Sequence, residues 1–291
     1  MKFYCVVDKT KGWHTFSLLE NSVKARSISW VPIEAKEIDV STLVNVEIEP
    51  GDILYRLGSD DELKFAEALL MRDYMTSFYR NPNDVFARSF NWGSTIRMLR
   101  AGVAIVPTQF GVAENDDDIM RSVEILGGFP VVIKSSGGSY GSGVRMANSL
   151  DELRRQVNEL EQNNQRVVLR QFIANARHVR CVVVGDKAVD AIELLPVEGD
   201  FRTNATDKPQ MRPFARDDKI FALAEKAVKA GVTEFGGVDI LISEDGTAYV
   251  TEVNFPCHFG WNQMCTGADI SGMMTDYLVS KAKQVLQTHT H

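Results

Sequence analysis

The apolar run Phe3–Val7 predicts a first strand, Asp52–Leu57 a second, and the stretch after Ser59 a helix. In that helix Ser59 and Glu62 fit a capping box, and Leu63, Ala66, Ala68, Leu69 and Leu70 supply an apolar stripe. Asn81, Pro82 and Asn83 mark a break. A helical segment near Ser94–Ala101 then leads to Val103–Pro107, and a second helix near Asp117–Leu126 stops at Gly127 and Gly128. Phe129–Lys134 and Val144–Ala147 read as strands flanking a glycine-rich loop, and Ser149 with Glu152 opens another helix. From Arg166 the period shortens to that of successive strands: Val167–Ile173, Val179–Val184, Ala188–Leu195 and a hairpin over Gly236–Asn254. Helices around Asp217–Ala230 and Ile270–Val285 are expected to cover this second sheet.

The last hairpin carries the clearest chemistry. If Asp245 and Gly246 form a two-residue turn, counting outward sets Asp239 opposite Glu252, with Cβ atoms ~5 Å apart. Asn254 falls on the same face by the period of two, while Val238, Ile240, Ile242, Tyr249, Thr251 and Val253 fall on the other. Two carboxylates and an amide oxygen suit Mg²⁺, which completes its shell with water and substrate phosphate. Taken alone, the pair reads more readily as an exposed acidic hairpin. A turn at Gly185 and Asp186 would similarly set Arg180 opposite Ala191 and His178 opposite Glu193, lining one surface.

Composition narrows the picture without changing it. The chain has 291 residues, a formal net charge of -7, 44% hydrophobic and 24% charged residues, which argues against a general affinity for nucleic acid or anionic membrane and leaves room for a local basic site. No apolar run is long enough to span a bilayer and the first residues read as a strand, so a cytoplasmic protein is expected. Cys5, Cys181, Cys257 and Cys265 lack CxxC spacing and argue against a disulfide framework or a structural zinc.

Two further groups suit phosphate. Four glycines fall between Gly137 and Gly143, where backbone N–H groups can approach a polyphosphate, and Lys134 ends the strand before them. The loop equally fits a mobile hairpin, and Lys134 an edge lysine. Arg202 and Asn204 lie two apart, so an extended segment aims both the same way, as an oxyanion would require.

In this order and spacing the motifs resemble those of ATP-grasp ligases of the RimK type, enzymes that add glutamate to a ribosomal protein. The resemblance runs through Leu54–Gly58, Ala101–Val103, Val106–Thr108, Phe129–Lys134 with its loop, Val179–Asp186, Gly199–Asn204, Gly237–Leu241 and Glu252–Asn254. It implies an α/β (α+β) ATP-grasp fold: an N-terminal α/β domain (1–85), a central subdomain with a glycine-rich lid (86–170) and a C-terminal subdomain (171–291), the last two sandwiching ATP. Lys134 would contact phosphate, and the loop with Gly138, Ser139, Tyr140, Gly141 and Gly143 would close over it. Gln171, Phe172 and Ile173 would cup adenine, and Asp239, Glu252 and Asn254 would hold Mg²⁺, or Mn²⁺, at two metal positions. Arg180, Arg202 and Asn204 would stand near the phosphates and the activated acyl group. The implied reaction activates a carboxylate as an acyl phosphate, with release of ADP, before an amine displaces phosphate to give an amide or peptide bond.

The chain also departs from the family pattern. A second ATP-contacting lysine is replaced near Asn91 or Trp92, the acidic hinge residue by Gln171, the acidic residue before Arg180 by His178, and two arginines by Leu194 and Leu195. The last change argues against a glutamate donor. Phe255–Trp261 is bulkier than the family's pattern and predicts a reshaped acceptor pocket. Small molecules, amino acids or peptides are the expected substrates, with no nucleic acid or membrane partner, and a homo-oligomer is expected. The alternatives are a catalytically silent ATP-binding sensor or partner protein, and a ligase that modifies a peptide or protein tail.

Overall fold

The computed structural model describes residues 1–9, 14–37, 39–86, 93–135, 143–196, 199, 202 and 209–289. Three sheets organise them. The first is parallel and contains β1 (Lys2–Val7), β2 (Ser29–Glu34) and β3 (Ile53–Arg56) in the order β2-β1-β3. Central β1 is buried on both faces, as its unbroken apolar run requires. Phe3, Cys5 and Val7 face α1 (His14–Ala25), and Tyr4 and Val6 face Leu63, Ala66 and Leu70 of α3 (Asp61–Leu70), with α2 (Val40–Val44) beside them.

The sequence pattern foresaw β1, β3 and α3 but not α1 or β2. β2 contains Pro32, which argues against a strand in sequence; the residue is tolerated because β2 is the sheet edge, where a missing N–H costs no ladder bond. The expected box at Ser59 is also displaced: the cap is Asp60, which makes no side-chain capping bond. Inside α3, Glu67 is buried and accepts hydrogen bonds from Arg56 Nε at 2.7 Å and Tyr79 Oη at 2.9 Å, a polar trio under an otherwise apolar stripe.

The second sheet is antiparallel: β4 (Thr108–Phe110), β5 (Val131–Ser135), β6 (Val144–Ala147) and β7 (Val167–Gln171), in the order β4-β7-β5-β6. Val131, Ile133, Val167 and Leu169 pack against α5 (Asp116–Ile125) and α6 (Leu150–Gln162). Alternation leaves Val132, Lys134, Val168 and Arg170 on the other face. Ser149 caps α6 as expected, but the Glu152 carboxylate accepts from the N–H of Asn148, one residue earlier than a capping box.

The third sheet, β10-β9-β8-β11-β12, is also antiparallel and comprises β8 (Arg177–Val184), β9 (Lys187–Leu194), β10 (Met211–Pro213), β11 (Phe235–Ile242) and β12 (Ala248–Asn254). α7 (Asp218–Lys229) and Met98 of α4 (Gly93–Arg100) cover the face with Val179, Cys181, Val238, Ile240 and Val250. On the opposite face, Val182, Val184 and Phe235 share one core with β1, β3 and α9 (Ile270–His289), so the first and third sheets are joined through apolar side chains. α8 (Gly260–Thr266) packs against β9 and β10. No described helix is long and apolar enough to cross a membrane.

Candidate active site

Asp239 pairs with Glu252 across β11 and β12, as counted, and with Arg180 across β8 and β11. The route to the first pairing differs from the two-residue turn. Ser243 N donates to Thr247 O, Gly246 sits at φ 84°, and the loop is three residues, Glu244–Gly246. A bulge then restores the count: Ile240 pairs with Val250, Asp239 with Glu252, and Thr251 is the extra residue. The bulge changes the faces on the loop side, so Val250 fills the apolar layer instead of Tyr249 and Thr251. Thr251 lines the cavity beside Asp239.

A second bulge corrects the β8/β9 hairpin. Val184 pairs with Lys187, as the turn at Gly185 and Asp186 predicts, but the register steps after Val183. Arg180 therefore stands opposite Ile192 and His178 opposite Leu194. Glu193 points to the other face, where Arg177 Nε donates to it at 2.8 Å and Arg212 Nε at 2.9 Å. The four groups expected on one surface are thus split between two.

The row Arg180–Asp239–Glu252 forms a charged network. Arg180 holds Asp239 in a bidentate pair, Nε to Oδ1 and Nη2 to Oδ2, both at 2.8 Å. His178 Nε2 lies 3.6 Å from Asp239 Oδ1. Burial alone would raise the Asp239 carboxyl, but the Arg180 guanidinium overrides it and holds the group well below the usual range. Partial burial likewise opposes the Glu252 charge, and the Lys134 ammonium, hydrogen-bonded to Glu252 Oε2, prevails and lowers its pKa. Asn254 Nδ2 donates to Asp239 Oδ2 at 3.1 Å and to Glu252 Oε1 at 3.2 Å.

The amide of Asn254 therefore occupies the point where both carboxylates converge. Rotation of that amide by half a turn places an oxygen there, completing a three-oxygen donor set of the kind hard divalent cations take. Among the described residues no group of three or more His, Cys, Asp or Glu side chains is placed to hold a metal. A cation here would take two carboxylates and an amide from the protein and the rest from water and phosphate, so the residues fit Mg²⁺.

Beside this row lies a cavity of about 360 Å³ between the second and third sheets. Lys134, Gln171, Phe172, Ile173, Arg202, Asp239 and Glu252 all line it. Arg180 and Asn254 stand behind it, bonded to Asp239. Gly143 lies at the base of the glycine-rich loop, its carbonyl accepting from Ser135 N at 2.8 Å. Gly138, Ser139, Tyr140, Gly141, Asn204 and the Asn91 and Trp92 positions lie outside the described residues. The Gln171 side chain packs under Gly127 on the α5 side of the sheet.

Two features went unread in the sequence. Arg170 lines the cavity, and the period of two from Lys134 through the β5/β7 pairing is the signal that would have found it. Trp261 stacks under Arg180, 5.6 Å from guanidinium carbon to ring centroid, with His258 next to it at 5.2 Å between rings. The other bulky residues of Phe255–Trp261 do not shape a pocket as one group: Phe255, Cys257 and Phe259 turn into the core shared with the first sheet.

Two sheets facing each other over a cavity, with a lysine from one meeting paired carboxylates from the other, define a nucleotide-dependent ligase of the ATP-grasp class. Comparison with known proteins identifies the family. Residues 91–278 match the model of the RimK-like ATP-grasp domain, and the chain belongs to that family of ATP-dependent carboxylate–amine ligases. It is 29% identical over 229 residues to a ribosomal protein bS6–L-glutamate ligase of Escherichia fergusonii, covering 78% of this chain and 75% of the relative. A probable alpha-L-glutamate ligase of Picosynechococcus is 29% identical over 238 residues, 79% and 76% of the two chains. Among solved structures, the ATP-grasp ligase PsnB complexed with a minimal precursor superposes with a TM-score of 0.73 at 14% identity, covering 97% of this chain and 99% of that one. D-alanine–D-alanine ligase from Bacillus anthracis complexed with ATP gives 0.70 at 16% identity and 99% coverage of both chains.

Proposed function

We propose that this ligase is ADP-forming: it holds a Mg²⁺–ATP complex in the cavity between the second and third sheets and joins a carboxylate to an amine through an acyl phosphate. The observation that carries this is the meeting of Lys134 with Glu252, and of Arg180 and Asn254 with Asp239, beside a cavity that the apolar pair Phe172 and Ile173 also lines. The bound ATP supplies the phosphoryl group that activates the carboxylate. Phe172 and Ile173 hold the base, and Lys134 moves from Glu252 to phosphate, leaving the carboxylate for the metal. Arg180 keeps Asp239 ionised and oriented, and Arg202, which lines the cavity, is proposed to act with Asn204 on the transferred group. The loop with Gly138, Ser139, Tyr140 and Gly141 acts as the lid that excludes water from the acyl phosphate.

The chain is proposed to work as three units, 1–85, 86–170 and 171–291, in a homo-oligomer in the cytoplasm. Leu194, directly opposite His178, is a buried apolar side chain that offers no charge to an acidic substrate, which supports a donor other than glutamate. A peptide or protein tail as acceptor is the second reading. It is favoured by relatives named for ribosomal protein bS6 and by the superposition on PsnB with its precursor.

The test pairs amino acids and short peptides in an array with ATP and Mg²⁺, read by nucleotide product and mass. ADP with a condensed product of the summed mass less water is expected. AMP and pyrophosphate as products would rule out the acyl-phosphate route, and tight ATP binding without turnover on any pair would favour a silent sensor.

A further inference from the structure

Among the described residues, every strongly buried arginine but one is matched by an acid. Arg56 pairs with Glu67 and Arg180 with Asp239. Arg170 is 7% exposed, and among the described residues no carboxylate forms an ion pair with it. Its Nη1 donates to the carbonyl of Thr251 at 3.0 Å, and its Nε is buried with no partner. Burial lowers the Arg170 pKa, and the charge of Glu252 only partly opposes this. A desolvated guanidinium without a counter-ion is unfavourable enough that its setting asks for an anion from outside the protein.

The position says which anion. Arg170 pairs with Val132 across β7 and β5, and Lys134 is two residues on from Val132, so the two cations are diagonal neighbours on the cavity face. Along the chain, Arg170 directly precedes Gln171, Phe172 and Ile173, and its guanidinium touches the residue before Glu252. It therefore stands between the base end and the metal end of the cavity, where the phosphate nearest the ribose would lie. A guanidinium fork suits a phosphate, which accepts two parallel N–H bonds.

We propose that Arg170 is a phosphate-binding residue of the nucleotide site and receives the α-phosphate beside Lys134, a role that rests on the nucleotide reading of this cavity. It supplies a second cation in a chain that has no lysine at Asn91 or Trp92, before α4. The bond to Thr251 aims the guanidinium and ties the second sheet to the bulge that presents Glu252.

Calorimetry with adenosine, AMP and ADP on the full chain, for the wild type, Arg170→Gln and Arg170→Lys, tests this, with melting curves to establish that each variant is folded. In Arg170→Gln, AMP and ADP are expected to bind ~10-fold or more weakly, the effect of losing a charge-assisted bond, with adenosine within about twofold. Arg170→Lys, which keeps the charge but loses the fork, should recover only part of the loss. An equal loss for adenosine and AMP would show a packing role and overturn the proposal, as would unchanged AMP and ADP affinity. Failure of the wild type to bind any of the three would instead overturn the nucleotide reading of the cavity, and Arg170's role with it.

Discussion

Replacing Asp239 by alanine should cost this protein stability as well as metal affinity, whereas replacing Glu252 should cost metal affinity and little stability. The side chains of Arg180 and Asp239 are only 10% and 1% exposed and share two parallel bonds of 2.8 Å. Removing the carboxylate strands a buried guanidinium, a loss of ~3–5 kcal/mol. At ~2–4 °C per kcal/mol for a chain of this size, melting should fall by roughly 10 °C. Lys134 and Glu252 are 25% and 34% exposed, and a pair that water reaches is worth ~0–1 kcal/mol, a shift of at most a few degrees. The assay is calorimetric melting without nucleotide, alongside Mg²⁺–ADP titration, which should fail in both variants. The pH dependence has a definite sign. The folded Asp239 pKa is depressed, so its contribution is complete above the ordinary carboxylate value near ~4 and fades as pH falls below it. The gap between wild type and Asp239→Ala should therefore hold from neutral pH to about 5 and narrow in stronger acid. Adding Arg180→Met to Asp239→Ala should restore most of the melting temperature but none of the metal binding. If Asp239→Ala melts within about 2 °C of the wild type, or Glu252→Ala loses as much, the account of a buried pair beside a wet one is wrong.

Three other outcomes are expected. Glu67→Ala strands the fully buried Arg56 and removes the acceptor of Tyr79, and should lower stability by ~3–5 kcal/mol in urea denaturation, with Glu67→Gln losing less. Burial and the nearby Arg180 hold His258 at about 4. Between the ordinary histidine value near ~6.5 and that pH, the unfolded chain takes up a proton that the folded chain refuses, so stability should fall as pH drops through this window, and His258→Asn should flatten the slope. A Cβ on Gly237 would lie 2.8 Å from the Cβ of buried Cys257, so Gly237→Ala should cost ~1–3 kcal/mol by thermal melting. Cys257→Ala should give no relief, because it keeps the atom in conflict.

What could be read from the residues, and what could not, follows from how each feature is encoded. Asp239, Glu252 and Asn254 were readable because a ladder converts spacing of two into a shared face. Even so, the Asp239–Glu252 pairing holds because a three-residue loop and a bulge at Thr251 offset each other. Where only one irregularity occurs, as in β8/β9, the same counting puts Glu193 on the wrong face. A bulge is a backbone event with no residue type of its own, so alternation cannot announce it. β2 was missed for the converse reason: Pro32 is a genuine strand-breaking signal, overridden by an edge position that exists only once the sheet has formed.

The same distinction explains why the class of chemistry was clearer than the substrate. The charges proposed to handle phosphate and metal sit on strands, Lys134 on β5 of the second sheet and Arg180, Asp239 and Glu252 on the neighbouring β8, β11 and β12 of the third, and each could be placed from its own strand. Substrate recognition depends on which bulky side chains turn toward the site, and in Phe255–Trp261 that choice is made by the core shared with the first sheet. Phe255, Cys257 and Phe259 are drawn inward by apolar partners far away in the chain, among them Tyr55, Phe78 and Phe235. His258 and Trp261 are left beside Arg180 as a consequence. A residue's neighbours within seven positions could not say which of these rings would face the substrate, because the deciding partners lie on β3 and β11 and in the segment between α3 and α4.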